Sequence, residues 1–218
     1  MVLKLYTYHN SINAKRVAIT LHEKNVPFEL HEIDVFTGQH KTPTYLEKQP
    51  FGQVPYLDDN GFILYESRAI SLYIATKYAD QGTQGLVPTE PKANALFHQA
   101  VYSEITNIED PAYKAVVEKL FKKALAGLDP DEEYYQKLIT NLDSKLDVYE
   151  KILSKQKYLV GNEVTLADLY HIPYISMLPA TGCHSVDSRP NVARWFKDIT
   201  SRKSWQAVKD GIKSTSTY

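Results

Sequence analysis

The hydrophobic and polar positions of the first eighty residues change period several times. Leu3-Lys4-Leu5-Tyr6-Thr7 alternates as a half-buried strand does, and Ala14, Val17, Ala18 and Leu21 then follow helical spacing from Ser11 onward. Val26-Pro27-Phe28-Glu29-Leu30 alternates again, so strand, helix and strand follow one another at the length of a parallel βαβ unit. Val54-Pro55-Tyr56-Leu57 and Phe62-Ile63-Leu64-Tyr65 are short apolar runs around Asp58-Asp59-Asn60-Gly61, and Asn-Gly in that setting predicts a type I′ hairpin. A helix over 66–79, with Ile70, Tyr73 and Ile74 on one face, closes the module. This order, βαβ followed by ββα with a proline opening the third strand, resembles an α/β thioredoxin-like fold. Pro55 cannot donate to a ladder, so it belongs at the first residue of its strand or at an edge. An X-Pro bond prefers trans by only roughly 0.5–1 kcal/mol, so a cis Val54-Pro55 bond is accessible and would turn the Val54 N–H and C=O outward.

Gln81-Gly82-Thr83-Gln84-Gly85 breaks the pattern, and past Pro88 and Pro91 helical spacing takes over. Phe97, Val101, Ile105 and Ile108 form one stripe; Leu138, Leu142, Leu146, Tyr149 and Leu153 a second; Val192, Trp195, Phe196 and Ile199 a third. The expected organisation is a thioredoxin-like domain over 1–80, a linker over 81–88 and an all-α domain over 89–218. Asp129-Pro130-Asp131-Glu132 reads as an N-cap, a proline at N1 and a capping-box glutamate, and Thr165-Leu166-Ala167-Asp168 as a capping box with the shorter acid. Pro173 falls inside the helix that follows, where a kink or break is expected.

Composition narrows the chemistry. With 218 residues, 43% apolar and 23% charged, the chain can bury a full core. Its 25 basic and 26 acidic residues are interspersed, which favours neither nucleic acid nor an anionic membrane and leaves small molecules as the expected partners. There is no signal-peptide pattern and no stretch of about 20 apolar residues, so a cytoplasmic location is expected. Cys183 stands alone, which removes an internal disulfide, a cysteine-based metal site and a Cys-X-X-Cys pair. Thiol chemistry must then use a thiol from outside the chain.

The hairpin and the helix after it suggest how such a thiol is held. A helix starting near Ser67 presents unpaired N–H groups and partial positive charge to an anion, Ser67 adds a hydroxyl, and Glu66 can take an ammonium. With the Val54 backbone free to pair, the inferred ligand is an extended zwitterionic peptide. Ser11 lies where the first strand hands over to the first helix. One hydroxyl donor at a helix N-terminus lowers a thiol's pKa and so supplies the nucleophilic thiolate. A plain capping role for Ser11 competes with this reading, and Tyr6 and Tyr8 are rival donors. His40 and Lys41 follow Thr37-Gly38-Gln39 and can grip a second carboxylate, although a solvated basic pair is the commoner meaning. His171 and Cys183 are read as structural.

These residues resemble a known family. Leu21-His22-Glu23-Lys24-Asn25, Pro50-Phe51-Gly52-Gln53-Val54-Pro55, Glu66-Ser67-Arg68-Ala69-Ile70 and Tyr158-Leu159-Val160-Gly161 with Thr165-Leu166-Ala167-Asp168 look like a glutathione transferase of the phi class. The serine ahead of Arg16-Val17 and the His40-Lys41 pair point to phi in particular. The resemblance implies the cytosolic glutathione transferase architecture, with glutathione as co-substrate, no metal, and a homodimer. It places glutathione along Gln53, Val54 and Pro55, the γ-glutamyl end at Glu66 and Ser67, the glycyl carboxylate at His40 and Lys41, and the sulfur at Ser11. The implied activity is conjugation of the thiolate to hydrophobic electrophiles, with hydroperoxide reduction as a side activity and detoxification as the role. Ile12, Phe36, Tyr113, Val117 and Phe121 are the candidates for the electrophile pocket. A weakly catalytic ligandin binding glutathione and aromatic molecules is the alternative, which sixteen tyrosines make plausible. A thiol reductase ranks last, since the active position holds serine. The chain departs from the phi pattern at Gln49, where asparagine is usual, in Tyr8-His9-Asn10, and over 108–121, which aligns poorly and suggests shorter helices.

Overall fold

In the computed structural model, which describes residues 2–218, strand β1 (Leu3–Thr7) is an inner strand of a four-stranded sheet. Its Leu3, Leu5 and Thr7 are buried, while Tyr6, on the opposite face by alternation, packs with Ile33, Tyr45 and Tyr56. Helix α1 (Ile12–Glu23) follows, and β2 (Phe28–Glu32) returns parallel to β1, with Leu3 opposite Phe28 and Thr7 opposite Glu32. After a short helix α2 (Pro43–Leu46), β3 (Tyr56–Asp59) and β4 (Phe62–Tyr65) add antiparallel strands, giving the order β2-β1-β3-β4. Helix α3 (Ser67–Lys77) packs beside α1. This is the thioredoxin-like arrangement expected from the pattern. Asn60 and Gly61 take φ of 54° and 92°, the two positive values that a type I′ turn requires. Strand β3 starts at Tyr56 rather than Val54, because Pro55 has no N–H to give; the Val54-Pro55 bond is cis.

The domain boundaries differ from the sequence expectation. Residues up to Val87 form one compact unit together with Arg202–Tyr218, and Pro88–Ser201 form the other. The end of the expected 89–218 domain therefore belongs with the sheet. Arg202 explains much of this: its Nε and Nη2 each donate to the Glu23 carboxylate at 2.7 Å, and Ser204 Oγ and Thr83 Oγ1 donate to the same group, both at 2.5 Å. Helix α11 (Lys203–Val208) packs on α1, and Phe28 and Thr215 exchange two backbone hydrogen bonds at the edge of β2.

The second unit is helical. Helix α4 (Pro91–Ser103), a π segment (Glu104–Glu109), α5 (Asp110–Val116), a second π segment (Val117–Phe121) and α6 (Lys122–Ala126) follow without a break. Over 108–121, where shorter helices are expected, the chain is helical throughout, and the π segments at Glu104–Glu109 and Val117–Phe121, with their i→i+5 bonds, put the apolar residues out of 3.6 phase. In α7 (Glu132–Leu153) the stripe from Leu138 to Leu153 is buried as expected, but its cap is Asp131, which accepts from Tyr134 N, rather than Asp129. Pro130 consequently lies outside the helix. Beyond α7 the chain breaks as Pro173 demands, into α8 (Leu166–Leu169), α9 (Ile172–Ile175), a 3-10 turn (Leu178–Thr181) and then α10 (Pro190–Ser201). Pro173 sits in the first turn of α9, where its missing N–H costs nothing.

The Thr165–Asp168 capping box forms, and Asp168 does more than cap. Its fully buried carboxylate accepts from Thr165 N, Leu159 N and Trp195 Nε1, all at 2.9 Å. Asp168→Ala leaves those buried donors unpaired and is expected to cost about 2–4 kcal/mol, measured by urea denaturation. Glu23 gives a pH test. Burial pushes its carboxyl up, but the bonds from Arg202, Ser204 and Thr83 outweigh this and hold it below the usual carboxylate range. Its stabilisation is therefore present above the unfolded value of about 4.3 and lost as pH falls through the lower folded value. Glu23→Gln should be the less stable protein at pH 7, with the gap to wild type closing in acid when both are unfolded by urea.

Candidate functional site

Ser11 is the N-cap of α1. Its N–H donates to Tyr8 O at 2.9 Å, and its Oγ accepts from Ala14 N at 3.3 Å. The capping role is thus real, but it uses only a lone pair. The hydroxyl proton is left to donate, at the helix end whose partial charge favours an anion. Of the rival donors, Tyr6 is stacked between His31 and Tyr56 with centroids 4.5 Å away on either side, a packing position. Tyr8 meets Phe36 edge-on at 5.4 Å, and Phe36 is 81% exposed. Ile12 is half-buried in the first turn of α1.

One residue at the candidate site is not singled out by the sequence pattern. Arg16 is 1% exposed, and its Nη1 donates to Ser67 Oγ at 2.8 Å and to Asn13 Oδ1 at 3.1 Å. It links the first turn of α1 to the first residue of α3, and places a buried positive charge behind the Ser67 hydroxyl. The signal was an arginine beside Ala14, Val17 and Ala18 on the buried face of a helix. Glu66 precedes α3 with φ of 69° and ψ of 110°, a backbone conformation that costs a residue with a side chain on the order of 1–3 kcal/mol. Its side chain makes no cap on α3 and is exposed, which leaves the carboxylate available to a ligand ammonium.

The remaining candidates gather on the loop before β3. Among the described residues neither the N–H nor the C=O of Val54 is hydrogen-bonded within the chain. Gln53 is exposed, and its carbonyl accepts from Tyr45 Oη at 2.7 Å. Lys41 Nζ donates to Gly52 O at 2.6 Å and to Phe51 O at 3.4 Å, so the ammonium expected to face a ligand also braces the loop and has one donor to spare. Gly52 takes φ of 59°, a conformation that strains other residues, and a Cβ there would lie 3.0 Å from the His40 carbonyl and press on the Lys41 side chain. Burial, with the Lys41 charge beside it, holds the His40 imidazole below its ordinary value, which favours the neutral form. Its Nδ1 is buried without a partner. Gln49, the departure from the phi pattern, fills its position well, being 2% exposed with Oε1 accepting from Phe51 N at 2.7 Å.

Arg16 therefore joins Ser67 to the helix that Ser11 caps, and Lys41 joins His40 to the Gln53-Val54 loop. Tyr113, Val117 and Phe121 belong to the helical unit. Tyr113 is 45% exposed and meets Tyr174 edge-on at 5.6 Å, while Val117 and Phe121 are half-buried at the two ends of a π segment. His171 is buried between Ala167 O at 2.8 Å and Tyr149 Oη at 3.1 Å, and Cys183 is buried, as structural residues are. Among the described residues no cluster of three or more His, Cys, Asp or Glu side chains is placed to hold a metal ion, and no helix is long and apolar enough to cross a membrane.

Comparison with known proteins gives this arrangement a family. Residues 1–76 match the glutathione S-transferase N-terminal domain and residues 96–203 the C-terminal domain. Glutathione S-transferase F13 of Arabidopsis thaliana is 40% identical over 215 residues, covering 97% of each chain, and glutathione S-transferase hmp2 of Hypomyces subiculosus is 40% identical over 208 residues, covering 94% of this chain and 96% of its own. Among solved structures, glutathione transferase F7 from Populus trichocarpa superposes with a TM-score of 0.91 at 37% identity, over 96% of this chain and 98% of its own. Poplar glutathione transferase F1 gives 0.90 at 37% identity, over 96% and 97%. With both domains matched in order and near full-length likeness to the plant F-series enzymes, the chain belongs to the glutathione S-transferase family, in its phi class.

Proposed function

We propose that this glutathione transferase activates its co-substrate through Ser11, whose hydroxyl donates to the glutathione sulfur and stabilises the thiolate. The observation that carries the reading is the hydrogen-bonding state of Ser11, which caps α1 through a lone pair and keeps its proton for a ligand. The thiolate then attacks an electrophilic carbon, forming a C–S bond as the leaving group departs with the bonding electrons. The thiol proton goes to solvent. Stabilisation by one donor and a helix N-terminus acts on the charge where it develops, so no base is required.

The peptide itself pairs with the open backbone of Val54. Its γ-glutamyl carboxylate meets the N-terminus of α3 and the Ser67 hydroxyl, which Arg16 orients from behind, and its ammonium meets Glu66. At the other end the glycyl carboxylate takes the remaining proton of Lys41 and a contact from the His40 imidazole. A structure of a related glutathione S-transferase I, 32% identical with a TM-score of 0.89, was solved with lactoylglutathione, which supports a glutathione-type ligand here. A serine-to-cysteine variant of the poplar F1 enzyme has also been solved. On the electrophile side, Ile12 and Phe36 offer apolar surface next to Ser11. Such surface separates substrates weakly, since one methylene is worth only about 1–3 kcal/mol, so breadth of substrate is expected.

Conjugation to chlorodinitrobenzene, with glutathione affinity read by calorimetry, separates these roles. Ser11→Ala should lower kcat by roughly 10- to 1000-fold through loss of one anion-stabilising donor, with glutathione affinity little changed. Glu66→Ala and Ser67→Ala should do the reverse, raising the glutathione dissociation constant roughly tenfold or more, as expected for lost charge-assisted contacts, while leaving most of kcat. Full turnover in Ser11→Ala would remove the serine mechanism.

A further inference from the structure

The loop that delivers Ser11, residues 8–10, is gripped on both sides by chain from elsewhere in the same unit. On one side the Glu32 carboxylate, at the end of β2, accepts from His9 N at 3.1 Å and meets His9 Nδ1 at 2.8 Å. On the other, the C-terminal tail reaches His9: Ile212 N donates to His9 O at 2.9 Å, and Ile212 is 2% exposed. Lys15, in the first turn of α1, donates to Lys209 O at 2.7 Å. Gly211 turns the tail into this contact at φ of 132°, with its Cβ position 3.5 Å from both Asn10 Oδ1 and His9 Cδ2. Beyond Ile212 the tail is fastened again, by Ser214 Oγ on Leu30 N at 2.9 Å and by the paired bonds between Thr215 and Phe28.

Both backbone polar groups of His9 are thus held, two residues before Ser11, by partners remote in sequence. We propose that the C-terminal tail and Glu32 together form a strap that positions Ser11, with Ile212 N–H and the Glu32 carboxylate as its two contacts. The proposal rests on Ser11 being the thiol's donor. A hydroxyl that stabilises a thiolate must be held to a fraction of an ångström, and misplacement by about 1 Å can cost roughly 100-fold in rate. The glutathione contacts on Val54, Glu66, Ser67 and Lys41 lie on other segments. Loosening the strap therefore reduces activation of the sulfur while leaving binding intact. Ile212 and Glu32 are positioning residues that act through His9 and not on the ligand itself.

Ile212→Pro removes the donor while keeping apolar bulk, and Glu32→Ala removes the acceptor at an exposed site where folding is not at risk. Ile212→Val and Glu32→Gln keep the hydrogen-bonding groups. For each variant and for Ser11→Ala, the pH profile of kcat/KM with chlorodinitrobenzene gives the apparent thiol pKa of bound glutathione, and calorimetry gives its affinity. Ile212→Pro and Glu32→Ala are expected to raise that pKa and to lower kcat at pH 7 roughly tenfold, between wild type and Ser11→Ala, with affinity within about twofold. The two conservative variants should retain the wild-type profile. Should Ile212→Pro fail to fold, Glu32→Ala against Glu32→Gln decides the matter. Wild-type profiles in the strap variants beside a shifted Ser11→Ala would overturn the strap alone; an unshifted Ser11→Ala would overturn the serine reading and the strap with it.

Discussion

Arg16 sits at 1% exposure with Nη1 between Asn13 and Ser67, and a guanidinium so placed cannot move without leaving a charge unpaired in the core. That constraint fixes the start of α3 against the start of α1. Both ends carry partial positive charge, so the pair of helix starts favours anionic groups beside it. The sheet supplies the rest of the frame. Strand β1 leads to Ser11 and β3 leads away from Val54, and their ladder from Lys4 to Tyr6 sets the two at neighbouring strand ends. The starts of α1 and α3 and the loop before β3 are thus joined by one buried side chain and one pair of strands.

Much of the first unit was legible because its signals are local. The Asn60-Gly61 turn, the proline before β3 and the alternation of β1 each depend on a few adjacent residues, and all form as expected. The candidates for a glutathione site came from a combination of residue types together with the resemblance to the family. Arg16 was missed for the opposite reason. A charge on a buried helix face is visible in the sequence, but its partner Ser67 lies in another element, and nothing local says that the two meet.

The remaining differences follow the same division. The tail was grouped with the helical domain because helical spacing takes over past Pro91, whereas its partners Glu23, Phe28 and His9 lie near the other end of the chain. Asp129 and Asp131 are equally good caps in composition. The choice of Asp131 leaves Glu118 to accept the Asp131 N–H at 2.5 Å, a contact between separate helices that capping preference does not register. Over 104–121 the difficulty is one of phase, since periodicity is counted in units of 3.6 residues and the chain there does not keep that count.

Those two π segments make the long run from Pro91 to Ala126 an element whose length is adjustable. Each holds an extra residue in a wider turn, so removing one residue there can restore ordinary α geometry without unwinding what lies on either side. Helices are normally intolerant of single-residue insertions and deletions, because every side chain beyond the change swings by about 100° around the axis. Here such a change is absorbed locally. A lineage carrying this element can therefore lose one codon at either segment while Phe97, Tyr113 and Phe121 keep their places on the helix surface, a freedom of length that an unbroken α-helix does not offer.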